Sequence, residues 1–396
     1  MYVEGKFICS EYVPKHNRLT HSTTQKFRSS LFKGLQVPRV APLAGFGAAP
    51  QLLGKEVDED MKEIVERLCV AQGVSGSETE LYALLHQMMD GIADVSVDRF
   101  GNIVAAMGDP NAAKHILLDA HIDRIGLIVT YINEKGFLKA EPVGGIDLRT
   151  LPGSAVTILG QEAVTGVICT MPPHLAEDEE LSRDKIWIDT GLPAEKVQEL
   201  VSLGDKAVLC SRFTELLNGR VAVSALDNRS GCAVLVRCAQ LLKGQTLPCR
   251  VSMVFSALEE VNEAGAAAAA YLLAPDEAVV VDVGFAKQKG VPPEKSGPLG
   301  CGTIITLSPV LSRSVTQKIQ ALAKRLDMAC DYEVCGGSTG TNADKITISK
   351  GGVPTGLVSI PSKNMHTPTE MVLLDDMEKL AQLLTLYIME GGASHA

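Results

Sequence analysis

The stretch VSMVFSALEEVNEAGAAAAAYLLAPDEAVVVDV, residues 251 to 283, decides the fold. Its first eight residues form an apolar run of strand type, the alanine-rich centre is helical in composition, and AVVVDV is again a short buried strand. The pattern predicts a strand over 250–257, a helix over 262–273 and a strand over 278–283. Two buried strands joined by a helix imply a crossover connection, so the strands lie parallel in an α/β sheet. The first strand also runs straight into two adjacent carboxylates, Glu259 and Glu260, at its carboxyl end.

Working outward, the same alternation recurs. Met61, Ile64, Val65, Leu68 and Val70 repeat at helical spacing until Gly73 and Gly76 break them, and Ser75 or Ser77 is placed to cap a second helix through His86. HILLDAH, residues 115 to 121, reads as a buried strand. Downstream, helices are predicted over 230–242, 314–326 and 375–390, with a strand over 355–360. Between these parts the texture changes: from Ile125 to Ala222 short β segments follow one another about turns such as Asn-Glu-Lys-Gly. The expected architecture is an α/β/α sandwich with a mostly parallel central sheet, built from 53–124 and 223–392, and split by a mostly β insert over 125–222.

Composition narrows the function. In 396 residues, 46% are hydrophobic and 21% charged, which suits a chain with a sizeable interior. A net charge of -10 argues against nucleic acid or an anionic membrane surface as partner. Ten cysteines without a CxxC pair suggest neither a zinc ribbon nor a disulfide framework, and point to a reducing, cytoplasmic setting. The longest apolar stretch, Ala264 to Ala274, is about half of what a bilayer crossing needs. Residues 1–52 differ from the rest: no acid occurs between Glu11 and Glu56, and the segment reads as a basic, disordered leader or, less favoured, an organelle transit segment.

In an open α/β sheet, ligands gather outside the carboxyl ends of the strands. There the sequence places His121 and Asp123, Glu259 and Glu260, Asp282, and His366, with Asp227 just before a helix. Imidazole and carboxylate together suit zinc, cobalt or manganese. Asp227 could bridge two such cations. Neighbouring residues in extended chain face opposite ways, so of Glu259 and Glu260 one could bind metal while the other takes a proton from an activated water. Asp123 could hold the His121 imidazole in one tautomer. Each residue alone has a plain alternative: paired acids complement a helix dipole, and Asp227 could be only an N-cap. Those alternatives would require every strand of the sheet to end in a ligand-type residue by accident.

These residues sit in motifs, GVSGSE, DAHIDRIGLIV, LPGSAV, MPPHL, SALDNRSG, SALEEV, VVDVG and GVPTGLVSIPSKNMHTPTEMVLLDDME, whose order and spacing resemble the tetrahedral metallo-aminopeptidases, family M42 of the peptidases. The likeness runs from about Glu56 to Glu390. It implies that His121, Asp227 and Asp282 hold one divalent ion, that Asp227, Glu260 and His366 hold a second, and that Glu259 is the general base with Asp123 orienting His121. It further implies short peptides as substrates, a dimerisation role for the insert, and dimers assembling into a tetrahedral dodecamer. The chain departs from the family pattern at Arg124, where an acid is common, at Asn262, at Ile146 and at Asn342 in GGSTGTNADK, a loop expected to approach the substrate. Two other readings stand beside this one: a catalytically silent metal-binding scaffold, and a glucan hydrolase using Glu259 and Glu260.

Overall fold

The computed structural model of the chain describes residues 59–172, 174 and 182–393; the leader read over 1–52 lies outside the described residues. An eight-stranded sheet forms the centre, in the order Asp94–Val97, Ile103–Met107, Arg250–Ser256, His115–His121, Glu277–Phe285, Thr355–Ser362, Thr303–Leu307, Cys330–Val334. The middle four strands are mutually parallel. Strands joined antiparallel flank them on both sides, while 303–307 and 330–334 pair in parallel, so four of the seven pairings are parallel and three antiparallel. On one edge the hairpin of 94–107 turns at Gly101, whose φ of 84° suits a residue without Cβ. On the other, 303–307 and 330–334 escaped the sequence reading. CDYEV alternates half-buried and exposed side chains and carries two acids, so it lacks the apolar run of a central strand.

The four parallel strands are apolar on both faces because helices cover both. Leu118, Ala120, Met253, Phe255, Val279 and Val281 join the core under helices Met61–Val70, Leu226–Leu242 and Leu374–Met389. Their neighbours Leu117, Val254, Ala278 and Val280 pack the other way, against helix Ala264–Leu273. This alternation makes the three-layer arrangement and explains why the strands read as unbroken apolar runs.

Several helix starts differ from expectation. The helix expected from 262 begins at Glu259, runs to Asn262, and resumes at Ala264–Leu273 after a break at Glu263, whose φ is 60°. The helix expected from 230 begins at Leu226, with Asp227 and Asn228 in non-helical conformation and a cis peptide between them. The side chain that caps the regular helix beyond this kink is Asn228, whose Oδ1 accepts from the Gly231 amide at 3.1 Å, and not Asp227. The second helix is Thr79–Met88, and its N-cap, Glu78, makes no side-chain cap bond, so neither Ser75 nor Ser77 caps it.

The β segments after His121 close into a six-stranded barrel, from Gly126–Ile132 to Lys206–Leu209, around its own core of Leu127, Val156, Ile158, Ile186 and Ile188. Residues 214–216 and 220–223, at the boundary read from the sequence between the insert and the catalytic part, pair in a small sheet with Glu370–Leu373. That sheet ties the chain leaving the barrel to the segment that carries His366.

Arg229 ties the first helix and the loop after it to the end of strand His115–His121. It is fully buried, and its guanidinium donates to the carbonyls of Leu68 at 2.7 Å, Ile122 at 3.2 Å and Gly73 at 3.3 Å, and also to Ala71. Burial lowers its pKa to about 10, yet the guanidinium remains charged at neutral pH. A methionine of similar length would leave those carbonyls buried without donors. Arg229→Met is expected to lose about 3 kcal/mol or more of stability, measured by urea unfolding; a loss below about 1 kcal/mol would contradict this role.

Candidate metal centre

The parallel register delivers the site. Ser256 lies opposite His121 and Asp282 opposite Ser359, so the carboxyl ends of the central strands open into one cleft of about 430 Å³. His121, Asp227, Glu259, Glu260, Asp282 and His366 all line it. The positions singled out from separate strand ends thus converge in one place.

At its centre the Asp227 carboxylate lies between the two imidazoles. Oδ1 is 3.2 Å from His121 Nε2, and Oδ2 is 3.1 Å from His366 Nε2. Glu259 Oε2 and Asp282 Oδ1 stand 3.7 and 3.8 Å from His121 Nε2. Glu260 Oε2 stands 3.6 Å from His366 Nε2. One donor atom each from His121, Asp227 and Glu260 lie within 4.8 Å of one another, as do donors of His121, Glu259 and Asp282. The adjacent acids, in the first turn of the short helix Glu259–Asn262, diverge, Glu259 towards His121 and Glu260 towards His366.

Backbone groups aim the imidazoles. His366 Nδ1 is 2.8 Å from the Gly145 carbonyl and His121 Nδ1 is 3.2 Å from the Asp123 carbonyl, so each ring donates through Nδ1 and turns Nε2 inward. A Cβ on Gly145 would come within 2.8 Å of His366 Nδ1, which is why this position, contributed by the insert, carries none. Asp123 does more than face His121. Its Oδ1 accepts from the Glu259 amide at 3.1 Å, and its Oδ2 from the Glu260 amide at 3.3 Å and the Ser75 hydroxyl at 2.6 Å. Asp123 therefore holds the turn that presents both glutamates.

The sequence reading missed three contributors. Glu370, fully buried, accepts from the Asp227 amide at 3.0 Å through Oε2 and from the His366 amide at 2.8 Å through Oε1, clamping two residues that approach from different elements. Its signal was an acid entering an apolar strand four residues after His366. Ser75 was read only as a candidate cap, and Gly145 was not singled out beside the departure at Ile146. The loop expected to approach the substrate does line the cleft, although Asn342 itself does not face it. Asn342 is buried beneath it, donating to Asp119 and Ser256 at 2.8 Å each, while Thr339, Gly340 and Thr341 line the cleft. Arg124 lies behind the site, donating to Ser224 at 2.6 Å.

Such a concentration of buried acids demands positive charge. Burial raises Glu260 and Asp282 well above the usual carboxylate range, and repulsion from Asp227 adds to both. Burial likewise pushes Glu259 up to about 7 and Glu370 up to about 8. Burial opposes charge on the imidazoles, but the surrounding carboxylates prevail: His121 is raised well above its ordinary value and His366 to about 10. Asp227 alone is lowered, since the bonds from both histidines outweigh its burial. Protons on the rings thus balance the acids. A divalent cation fits in their place: the donors are two Nε2 atoms and carboxylate oxygens, and Glu260 Oε1 is buried with no hydrogen-bond partner.

Comparison with known proteins agrees with this chemistry. The family model described as M42 glutamyl aminopeptidase matches residues 101–383. A protein of Acetivibrio thermocellus named for aminopeptidase activity is 32% identical over 337 residues, covering 83% of this chain and 98% of the relative. The structure of an aminopeptidase from Desulfurococcus kamchatkensis superposes with a TM-score of 0.78 at 29% identity, over 83% of this chain and 94% of that one. The TET1 peptidase of Pyrococcus horikoshii, described as assembling into a tetrahedron or a large octahedral shell, gives 0.74 at 29% identity over 84% of this chain and 100% of its own. The chain belongs to the M42 glutamyl aminopeptidase family. It is a metal-dependent aminopeptidase, a hydrolase of peptide bonds.

Metal ligands bind deprotonated, and here both imidazoles hold their protons more tightly than usual, so cation uptake must displace protons. Zinc affinity is therefore expected to weaken as pH falls from about 8 to about 6, with proton release on binding. Titration calorimetry in buffers of different ionisation enthalpy measures both; binding indifferent to pH and buffer would contradict the protonated resting site.

Proposed function

We propose that the chain removes single residues from the amino termini of short peptides using two divalent ions, zinc, cobalt or manganese. The reading assigns His121, Asp227 and Asp282 to one ion and Asp227, Glu260 and His366 to the other. The observation that carries it is the division of the Asp227 carboxylate, one oxygen to each imidazole at 3.2 and 3.1 Å. When bound, the cations supply Lewis-acid stabilisation of charge developing at the scissile carbonyl and lower the pKa of water.

The protein's own residues do the rest. Glu259, with its carboxyl pushed up to about 7 by burial, is matched to taking a proton from the attacking water near neutral pH. The same carboxyl then returns the proton to the departing amine as the C–N bond breaks. Asp123 fixes the amides of Glu259 and Glu260, so the base stays on the His121 side of the site. Glu370 fixes the amides of Asp227 and His366. The free amine of the substrate docks beside the same donor set.

Neither competing reading has comparable support. Glu259 and Glu260 lean on separate imidazoles about Asp227, which is a ligand arrangement and not a pair of bare acids across a sugar ring. A silent scaffold would have no need of a complete donor set with a neutral-range base beside it. Glu259→Gln is expected to reduce hydrolysis of amino-acid p-nitroanilides by about 10² to 10⁴ while metal content is unchanged. Retention of turnover would overturn the base assignment.

The reading extends to assembly. It assigns the inserted barrel, with the catalytic parts on either side of it in sequence, to dimerisation, and dimers to a closed dodecamer in the cytoplasm. Exposed Tyr131, Val167 and Met171 on or beside barrel strands support a contact there. Twelve copies of the 42.1 kDa chain would weigh about 500 kDa. Light scattering at that mass is expected; a monomer or dimer across the accessible concentration range would rule the shell out.

A further inference from the structure

The cleft carries more negative charge than the metal reading uses. Asp227, Glu259, Glu260 and Asp282 supply four carboxylates, which two divalent cations match. Two further acids line the same cleft, Glu263 and Glu333, and among the described residues its lining includes no Lys or Arg. Glu263 occupies the break between the two short helices in the left-handed region, φ 60°, an unusual conformation for a residue with a side chain, and its Oε2 is buried with no hydrogen-bond partner. Glu333 lies on the half-buried face of the edge strand, while its neighbours Tyr332 and Val334 turn outward to solvent.

The Thr339–Thr341 segment lines the cleft together with both acids. Asp344 holds that segment in place, accepting from the Thr339 and Gly340 amides at 2.9 and 3.0 Å. Burial raises the pKa of Glu263 and of Glu333; the cations acting on them are Lys345 and Lys295 respectively, and neither lysine lines the cleft. The half-exposed ring of Phe285 lies on the same lining and offers an apolar surface to an aliphatic stem.

We infer that Glu263 and Glu333 form an acidic subsite that selects peptides beginning with lysine or arginine and disfavours those beginning with glutamate. This rests on the two-metal aminopeptidase reading and adds to it the class of terminal residue. A cationic side chain in the subsite relieves two desolvated carboxylates, its methylenes cover Phe285, and no cation of the wall needs displacing. A glutamyl side chain would meet like charge from both acids, and repulsion of that kind is what separates substrates of similar size.

The test is the kcat/KM of the metal-loaded enzyme on lysyl, arginyl, leucyl and glutamyl p-nitroanilides. The inference predicts lysyl and arginyl substrates ahead of leucyl by about tenfold and of glutamyl by about a hundredfold. Glu263→Gln and Glu333→Gln should each lower the lysyl-to-leucyl ratio by about tenfold, chiefly through KM. The reversed charge, Glu333→Lys, should raise glutamyl relative to lysyl turnover. Using a ratio within one variant cancels any loss of folded enzyme. Leucyl or glutamyl substrates matching lysyl ones, or ratios that none of the variants moves, would overturn the subsite while leaving the aminopeptidase intact. Hydrolysis of none of the four would remove both.

Discussion

Everything in this protein is arranged around a buried carboxylate shared between two imidazoles. Asp227 sits where the carboxyl ends of the central strands meet, with acids on both sides and almost no solvent. Placing such charges together in a folded interior is costly unless positive charge accompanies them. Protonated histidines balance the site when cations are absent, and the same histidines become neutral ligands when cations are present. The metal dependence of the family is thus written into the electrostatics of the chain itself.

The fold meets that constraint by collecting residues from distant parts of the sequence. Parallel strands put His121 and Asp282 at the same end of the sheet, and the turn after 250–256 brings Glu259 and Glu260 beside them. Glu370 and Asp123 act as staples, each bonding to two backbone amides of ligand-bearing segments. Arg229 fastens the first helix and the loop after it to the strand end bearing His121. The insert contributes as well, since the Gly145 carbonyl sets the direction of His366. Displacing any of these would tilt a ligand without touching a cation, which is how outer contacts tune metal sites.

Much of this was legible in the order of residues. Buried strands ending in His, Asp or Glu were readable because apolar runs covered on both faces by helices leave a plain pattern, and their ends are where α/β sheets expose side chains. What escaped has physical reasons. Glu370 and Ser75 act through bonds to distant backbone or side chains, and no local pattern distinguishes such a residue from a solvated acid or a cap. The loop GGSTGTNADK lines the cleft through Thr339, Gly340 and Thr341, but that Asn342 turns beneath it was not legible, because a loop beside a cleft has both an inner and an outer face. The strands 303–307 and 330–334 are only five residues long and mix Thr, Asp and Glu into those short runs, so their period was weak. The left-handed backbone at Glu263, which splits one helix into two, depends on tertiary contacts that propensity does not register.

The central claim is that one carboxylate serves two cations, and zinc titration of the metal-free protein followed calorimetrically tests it most directly. The account predicts two equivalents bound by the native chain and the weakening of both in Asp227→Ala, because each ion loses the same ligand. A native stoichiometry of one, or a variant that loses one ion and keeps the other at full affinity, would contradict it.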